Sequence, residues 1–199
     1  MKRRDALKKL GLAAGFAITA PSIFSMLQSC TADVKTWVPK FLTSNEQAVL
    51  TNLVDIILPK TATTPSATEV KVPQFIDQYI YEVLDIKDQE ITRAAFNKFI
   101  GFLKLTETKS ISDVTTEEYT ALLDEYLLIT EDIDEEREAN LEAEIMTTSE
   151  FLGQVKWMTI SAYRNSEQVG ENILVYDPIP AQYYCGDLQE LTGGKSYSL

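Results

Sequence analysis

The sequence predicts an all-α fold, a single compact helical bundle followed by an irregular C-terminal segment rich in Tyr and Pro. Apolar residues recur at three- and four-residue spacing in successive stretches between residues 43 and 163. Three of those stretches open on Thr-x-x-Glu or Pro, which are helix-start signals, and only Ile173-Leu174-Val175-Tyr176 reads as a strand. The 199 residues are 45% apolar, enough to bury the core of one domain. No internal repeat and no long linker divides the chain.

Residues 1–30 read as a leader rather than as part of the fold. The basic stretch Met1 to Lys9 precedes an apolar run from Leu10 to Phe24, broken by Pro21 and short for a membrane span. Arg3-Arg4, placed directly before that run, is similar to a twin-arginine export signal, although Ala6 stands where such signals favour Phe. The run ends in Leu27-Gln28-Ser29-Cys30, which resembles a lipobox and makes Cys30 the candidate lipidation site. An ordinary signal peptide with an incidental Cys30 is the plainer alternative. Loss of residues 1–29 removes five positive charges and one negative, leaving 13 basic against 29 acidic side chains and a net charge of −16. Such a charge keeps a protein off anionic headgroups, so acyl chains would supply the membrane attachment.

Residues 31–42 are expected to be a tether, and residues 43–190 the helical domain. The first helix is expected to open on the capping box Thr43-Ser44-Asn45-Glu46, to carry Val49, Leu50, Leu53, Val54 and Ile57, and to stop at Pro59. A Thr/Pro/Ala loop spans 60–72. Pro73 suits the first turn of a second helix, with Phe75, Ile76, Tyr79, Ile80, Val83 and Leu84 as its apolar face. A third helix is placed at about 88–105, with Ile91, Ala95, Phe99, Phe102 and Leu103 inward. Thr115-Thr116-Glu117-Glu118 caps a fourth, which carries Leu122, Leu123, Tyr126 and Leu127. A strongly acidic stretch, 132–144, leads into a fifth helix, with Phe151, Val155, Met158 and Ile160 inward, ending near Tyr163. Residues 191–199 are expected to form a flexible tail.

Composition excludes several chemistries. The chain has no histidine, so a Ser-His-Asp triad, a Cys-His pair, a Glu-x-x-His di-iron site and an imidazole zinc or haem ligand are all impossible within it. A formal charge of −12 argues against a nucleic-acid partner, which calls for clustered Lys and Arg. No GxGxxG or Walker A pattern and no haem-attachment motif occurs. The acidic run lacks the glycine an EF-hand turn requires and reads better as a solvated helix start. No residue is a candidate catalytic, cofactor or metal ligand on this reading, although a carboxylate pair could arise in three dimensions. Cys30 and Cys185 are the two cysteines, and acylation of Cys30 would leave Cys185 as a lone thiol.

The clustered aromatic residues Tyr163, Tyr176, Tyr183 and Tyr184 offer large contact areas with polar tips, suited either to an interface or to covering the end of the bundle. Thr43-x-x-Glu46 with Leu50, Leu53, Asp55, Ile57 and Pro59, then Pro65-x-Ala67, Val72 and Phe75-Ile76-Asp77, resembles the opening of the gluconate 2-dehydrogenase subunit 3 family. Tyr163-x-x-Ser166-Glu167-x-x-Gly170, Leu174-x-Tyr176, Pro180, Tyr183 and Cys185-Gly186 are similar to its closing motif. Ser66, Asn165, Ala181 and the Cys185-Gly186 order depart from the family's pattern. The resemblance implies a non-catalytic small subunit accompanying a large FAD-dependent dehydrogenase of the glucose-methanol-choline type, often with a cytochrome c subunit carrying haem c. It would assist maturation, export and membrane attachment on the periplasmic side of the envelope. Arg3 and Arg4 would then address the complex and Cys30 anchor it. Tyr163, Ser166, Glu167, Gly170, Tyr176, Pro180 and Tyr183 are the candidates for the docking surface. A stand-alone lipid-anchored binding protein and a carboxylate-based enzyme are the competing readings.

Overall fold

A computed structural model describes residues 37–107, 109–127, 145–177, 179 and 185–198. The chain divides into two units, residues 1–38 and 39–199, and the fold belongs to the second. Arg3, Arg4, Cys30, Pro180, Tyr183 and the acidic stretch 132–144 lie outside the described residues. In order, the helices are α1 (Ser44–Ile57), α2 (Val72–Val83), α3 (Ile86–Phe102), a 3₁₀ turn (Ile111–Asp113), α4 (Thr116–Leu127), α5 (Thr148–Arg164), α6 (Glu167–Asn172) and α7 (Leu188–Thr192). The fold is all-α, with no strand among the described residues.

Helix starts are decided by short reciprocal caps. The Thr43 hydroxyl accepts from the Glu46 N–H, and the Glu46 carboxylate accepts from the Thr43 N–H at 2.7 Å. The same exchange links Thr115 with Glu118 and Thr147 with Glu150. Each satisfies two end groups that a helix would otherwise leave unpaired, about 1 kcal/mol per cap. Asp85 opens α3 by accepting from the Asp88 N–H at 2.8 Å, which sets its start at Ile86 rather than 88. That helix ends at Phe102, and Lys104 turns the chain with a φ of 50°. The cap at Thr147 likewise corrects the fifth helix. Residues 145–147 are not helical, so α5 is an element with its own start.

Helices α1 and α5 are the axial pair. Helix α1 contacts α2, α3, α4 and α5, and α5 contacts α1, α2, α3, α4 and α6. Val49, Leu50, Leu53 and Val54 from α1 meet Phe151, Leu152 and Val155 from α5, all fully buried or nearly so. Each such side chain contributes about 1.5–3 kcal/mol by leaving water. Phe96 and Phe99 of α3 close on Phe151, the first edge-on at 4.8 Å between ring centres. Thr159, fully buried on α5, satisfies its hydroxyl on the Val155 carbonyl at 2.7 Å. Tyr119 of α4 is also fully buried, and its hydroxyl has no hydrogen-bond partner. Burial pushes this phenol up from 10.0. Asn52, whose amide also donates to the Ala48 carbonyl, tempers the shift from nearby.

Several residues assigned to the core from their spacing lie outside it. Phe75 is 54% exposed, Val83 61% and Ile160 39%. The apolar stripe of α2 is broader than its buried face and offset from it; the buried residues are Val72, Pro73, Ile76, Asp77 and Ile80. The strand-like run 173–176 contributes only one isolated bridge, from Val175 to Tyr197. The Val175 N–H donates to the Ser196 carbonyl at 3.0 Å, and the Ser198 N–H donates to the Val175 carbonyl at 2.9 Å. The stretch 191–199, expected to be flexible, therefore includes the end of α7 and a paired segment. Gly193 supplies the left-handed φ of 64° that closes α7.

Candidate functional site

Two separated stretches of sequence converge at one end of the bundle, the loop between α1 and α2 and the junction of α5 with α6. The loop is built inward from Ala67, which is fully buried. Its N–H donates to the Leu58 carbonyl at 3.0 Å, and its carbonyl accepts from the Val72 N–H at 3.0 Å. Asp55, in the last turns of α1, accepts from both the N–H and the hydroxyl of Thr68, at 2.8 and 2.6 Å. Ser66 and Glu69 repeat the reciprocal cap: the Ser66 N–H donates to the Glu69 carboxylate at 2.9 Å and the Glu69 N–H to the Ser66 hydroxyl at 3.3 Å. Glu69 also pairs with Lys60. The Lys60 hydrogen bond, seconded by the Ser66 N–H, holds this carboxyl below its ordinary 4.5. Lys71 turns the chain into α2 with a φ of 62°.

Tyr163 links the second stretch to the first. Its hydroxyl donates to the Pro65 carbonyl at 2.8 Å across 98 residues of sequence. The Ser166 hydroxyl in turn donates to the Tyr163 carbonyl at 2.7 Å, and the Ser166 carbonyl accepts from the N–H groups of Val169 and Gly170. Between the two stretches lies an open groove of about 450 Å³, lined by Lys60, Thr61, Thr64, Pro65, Glu69 and Gln168. Of the candidate docking residues, Tyr163 and Ser166 thus spend their hydroxyls inside the chain. Glu167 and Tyr176 are exposed. Gly170 is half-buried, and a side-chain carbon there would meet the Arg164 carbonyl at 3.7 Å and Ser198 at 3.8 Å, ordinary contacts. Cys185 is an exposed thiol.

A second polar cluster fastens the entry to the domain. The Asp77 carboxylate, 1% exposed, accepts from the backbone N–H groups of Lys40, Phe41 and Leu42 at 2.8, 3.0 and 2.9 Å. Beside it the Arg93 guanidinium donates to Glu46 at 2.8 Å and to the Phe41 carbonyl at 2.6 Å, and lies over the Phe41 ring at 4.1 Å. Glu46 serves the α1 cap and this ion pair together. Among the described residues no group of three acids or cysteines is gathered as a metal site would require, and no helix is long and apolar enough to cross a membrane.

This arrangement accounts for the residues that stand out in the sequence. Asp55 and Asp77 are placed to bind backbone N–H groups, and the opening and closing motifs meet through Tyr163 and Pro65. A family model described as gluconate 2-dehydrogenase subunit 3 matches residues 44–181, from the first residue of α1 past Tyr176. The chain belongs to this family. No curated protein and no solved structure matches it. The matched span takes in both converging stretches and Glu46, Asp77 and Arg93, whereas Lys40, Phe41 and Leu42 precede it and Tyr183, Cys185 and Gly186 fall beyond it. Ser66 needs no glycine-like backbone, since φ at this position is not positive, and its hydroxyl is used in the cap.

What the spacing did not reveal is the outward aromatic pair Phe75 and Trp157. Both lie on helices that bury one face in the core. The available signal was Trp157 itself, a large ring one residue away from the buried Met158 and off the Phe151, Val155 and Ala162 stripe.

Proposed function

We propose that the protein is the small, non-catalytic subunit of an FAD-dependent sugar or sugar-acid dehydrogenase of the glucose-methanol-choline type, which it helps to mature, export and attach to the membrane. The observation that carries this reading is the match to gluconate 2-dehydrogenase subunit 3 over residues 44–181, since the family is that of a subunit. The flavin, and haem c where a cytochrome subunit is present, belong to the partner chains. Arg3 and Arg4 direct the assembled complex through the twin-arginine route, and Cys30 holds it by acyl chains on the periplasmic side. The engaged state of Asp55, Asp77 and Glu46 supports a structural use of the conspicuous acids.

The test is purification of the tagged full-length protein from its native membranes in mild detergent, with a flavin absorbance spectrum and mass spectrometry. A glucose-methanol-choline flavoprotein at near-stoichiometric yield is the expected result, and a colourless protein purified alone refutes the reading. Changing Arg3 and Arg4 to Lys should hold the complex in the cytoplasm, and Cys30→Ala should abolish fatty-acid labelling.

A further inference from the structure

Helices α2 and α5 lie side by side and leave an apolar, aromatic face on the outside of the bundle. Phe75 and Tyr79 stack with ring centres 6.3 Å apart, and Trp157, 63% exposed, stands across from them with Ile160 a turn further on. Between them is a notch of about 80 Å³, lined by Phe75, Ile76, Tyr79, Trp157, Met158 and Ser161, room for one aliphatic side chain. None of these lining residues is charged, in a chain with 30 acidic side chains. Glu82, next along α2, is neutralised by Lys40 at 2.6 Å. The charged residues of α5 are Glu150, whose carboxylate is engaged in the Thr147 cap two turns before Trp157, and the basic Lys156 and Arg164. Interface cores have this composition, rich in Trp, Tyr, Phe and Met and poor in acids, and a central pocket with an aromatic wall is where binding energy concentrates.

We propose that this face is where the large dehydrogenase subunit docks, inserting an apolar side chain into the notch and meeting Lys156 and Arg164 with acidic residues at its rim. The assignment rests on the subunit reading above and adds the surface and the chemistry of the partner. Membership of a subunit family requires one face to be buried against another chain of the complex. A second copy of the same chain fits less well, because a two-fold contact sets each face against itself and brings the basic rims together. The face also explains the Phe75-Ile76-Asp77 triplet: Ile76 is core and Asp77 binds backbone, while Phe75, stacked on Tyr79, leaves 54% of its surface outside the fold.

The experiment uses the detergent-purified complex and three full-length variants, Phe75→Glu, Trp157→Glu and the control Ile86→Glu. Ile86 is 76% exposed at the start of α3, outside the notch. The proposal expects wild type and the Ile86 variant to retain the flavoprotein, identified by mass spectrometry and flavin absorbance. The two notch variants should lose about tenfold or more of it while keeping the wild-type circular dichroism spectrum. Trp157→Ala, which adds no charge, should weaken retention in the same direction. Retention by both notch variants within twofold of wild type overturns the docking face and leaves the subunit reading standing. Absence of any flavoprotein with wild type overturns both. A free wild-type chain that is dimeric by light scattering, and monomeric as Trp157→Glu, assigns the face to a second copy and overturns the partner.

Discussion

Replacing Asp77 by Ala should cost more stability than any other single change to a polar side chain in the domain. The carboxylate accepts three backbone N–H groups, from Lys40, Phe41 and Leu42. Phe41 and Leu42 are 9% and 6% exposed, so their N–H groups have no water to turn to, whereas Lys40 is exposed and can recover a partner. A hydrogen bond to a charged group is worth roughly 1.5–3 kcal/mol, so the two buried ones predict a loss of about 3–6 kcal/mol. That is a large share of the roughly 5–15 kcal/mol that holds a typical domain. With a urea slope of roughly 2 kcal/mol per molar, the midpoint should fall by about 1.5–3 M. Asp77→Asn keeps one oxygen for Phe41 and Leu42 and should lose about half as much. Urea unfolding of the full-length protein in mild detergent, followed by far-ultraviolet circular dichroism, measures both. A midpoint change below about 0.5 M for the Ala variant would refute the fastening role of Asp77.

Arg93→Met should cost about 2–3 kcal/mol, because it strands a Glu46 side chain that is 2% exposed; Arg93 itself is 37% exposed, which keeps the loss below that of a fully buried pair. Adding Glu46→Gln should recover part of it, and a urea midpoint unmoved by Arg93→Met would remove the pair from the account. The pH dependence has a definite sign. Glu69 and Glu118 are held below 4.5 by hydrogen bonds from Lys60 and Lys109, and Asp113 is held below 3.8 by Ser110. A depressed carboxyl contributes stability that is complete above its unfolded value and is lost as pH falls through the folded one. The urea midpoint should therefore decline below pH 4.5, and the decline should be shallower in Lys60→Met/Lys109→Met. Lys40, raised above 10.5 by Glu82, behaves oppositely: its contribution is lost as pH climbs beyond that value. Tyr163→Phe should cost about 1 kcal/mol, a fall in Tm of roughly 2–4 °C by calorimetry, as its bond to Pro65 is lost.

Much of the architecture was legible because helix starts are local chemistry. Thr43-x-x-Glu46 and Thr115-x-x-Glu118 bring the groups that satisfy one another within three residues, so no tertiary knowledge was needed to place α1 and α4. The same signal at Thr147-x-x-Glu150 and Ser66-x-x-Glu69 was present but masked, in one case by the preceding acidic stretch and in the other by a loop. Burial was less legible than helicity. In α2 the apolar side chains Val72, Phe75, Ile76, Tyr79, Ile80 and Val83 form one broad stripe, and periodicity cannot say which edge of that stripe meets α1 and α5 and which stays in water. The polar half of the buried face, Asp77, is invisible to any hydrophobic count. The bond from Tyr163 to Pro65 spans 98 residues and has no local signature at all.

The motif residues therefore separate into two groups. Asp55, Asp77, Glu46, Tyr163 and Ser166 have partners inside the chain, which are sufficient physical reason for each to be what it is. Phe75, Glu167 and Tyr176 are exposed, Phe75 despite its stack on Tyr79. A half-exposed Phe gains little from the fold, since about half of its apolar area still meets water. The same ring gains that remainder only when another surface covers it. Gly170 discriminates between the two groups. Its surroundings admit a side-chain carbon at ordinary contact distance, so Gly170→Ala should leave the melting temperature within about 2 °C of wild type. If the variant nonetheless loses the flavoprotein, the glycine is there for a neighbour that approaches the α6 backbone closely, and the docking surface extends from Trp157 to the closing motif. If the variant keeps the flavoprotein, the surface ends on the α2 and α5 face.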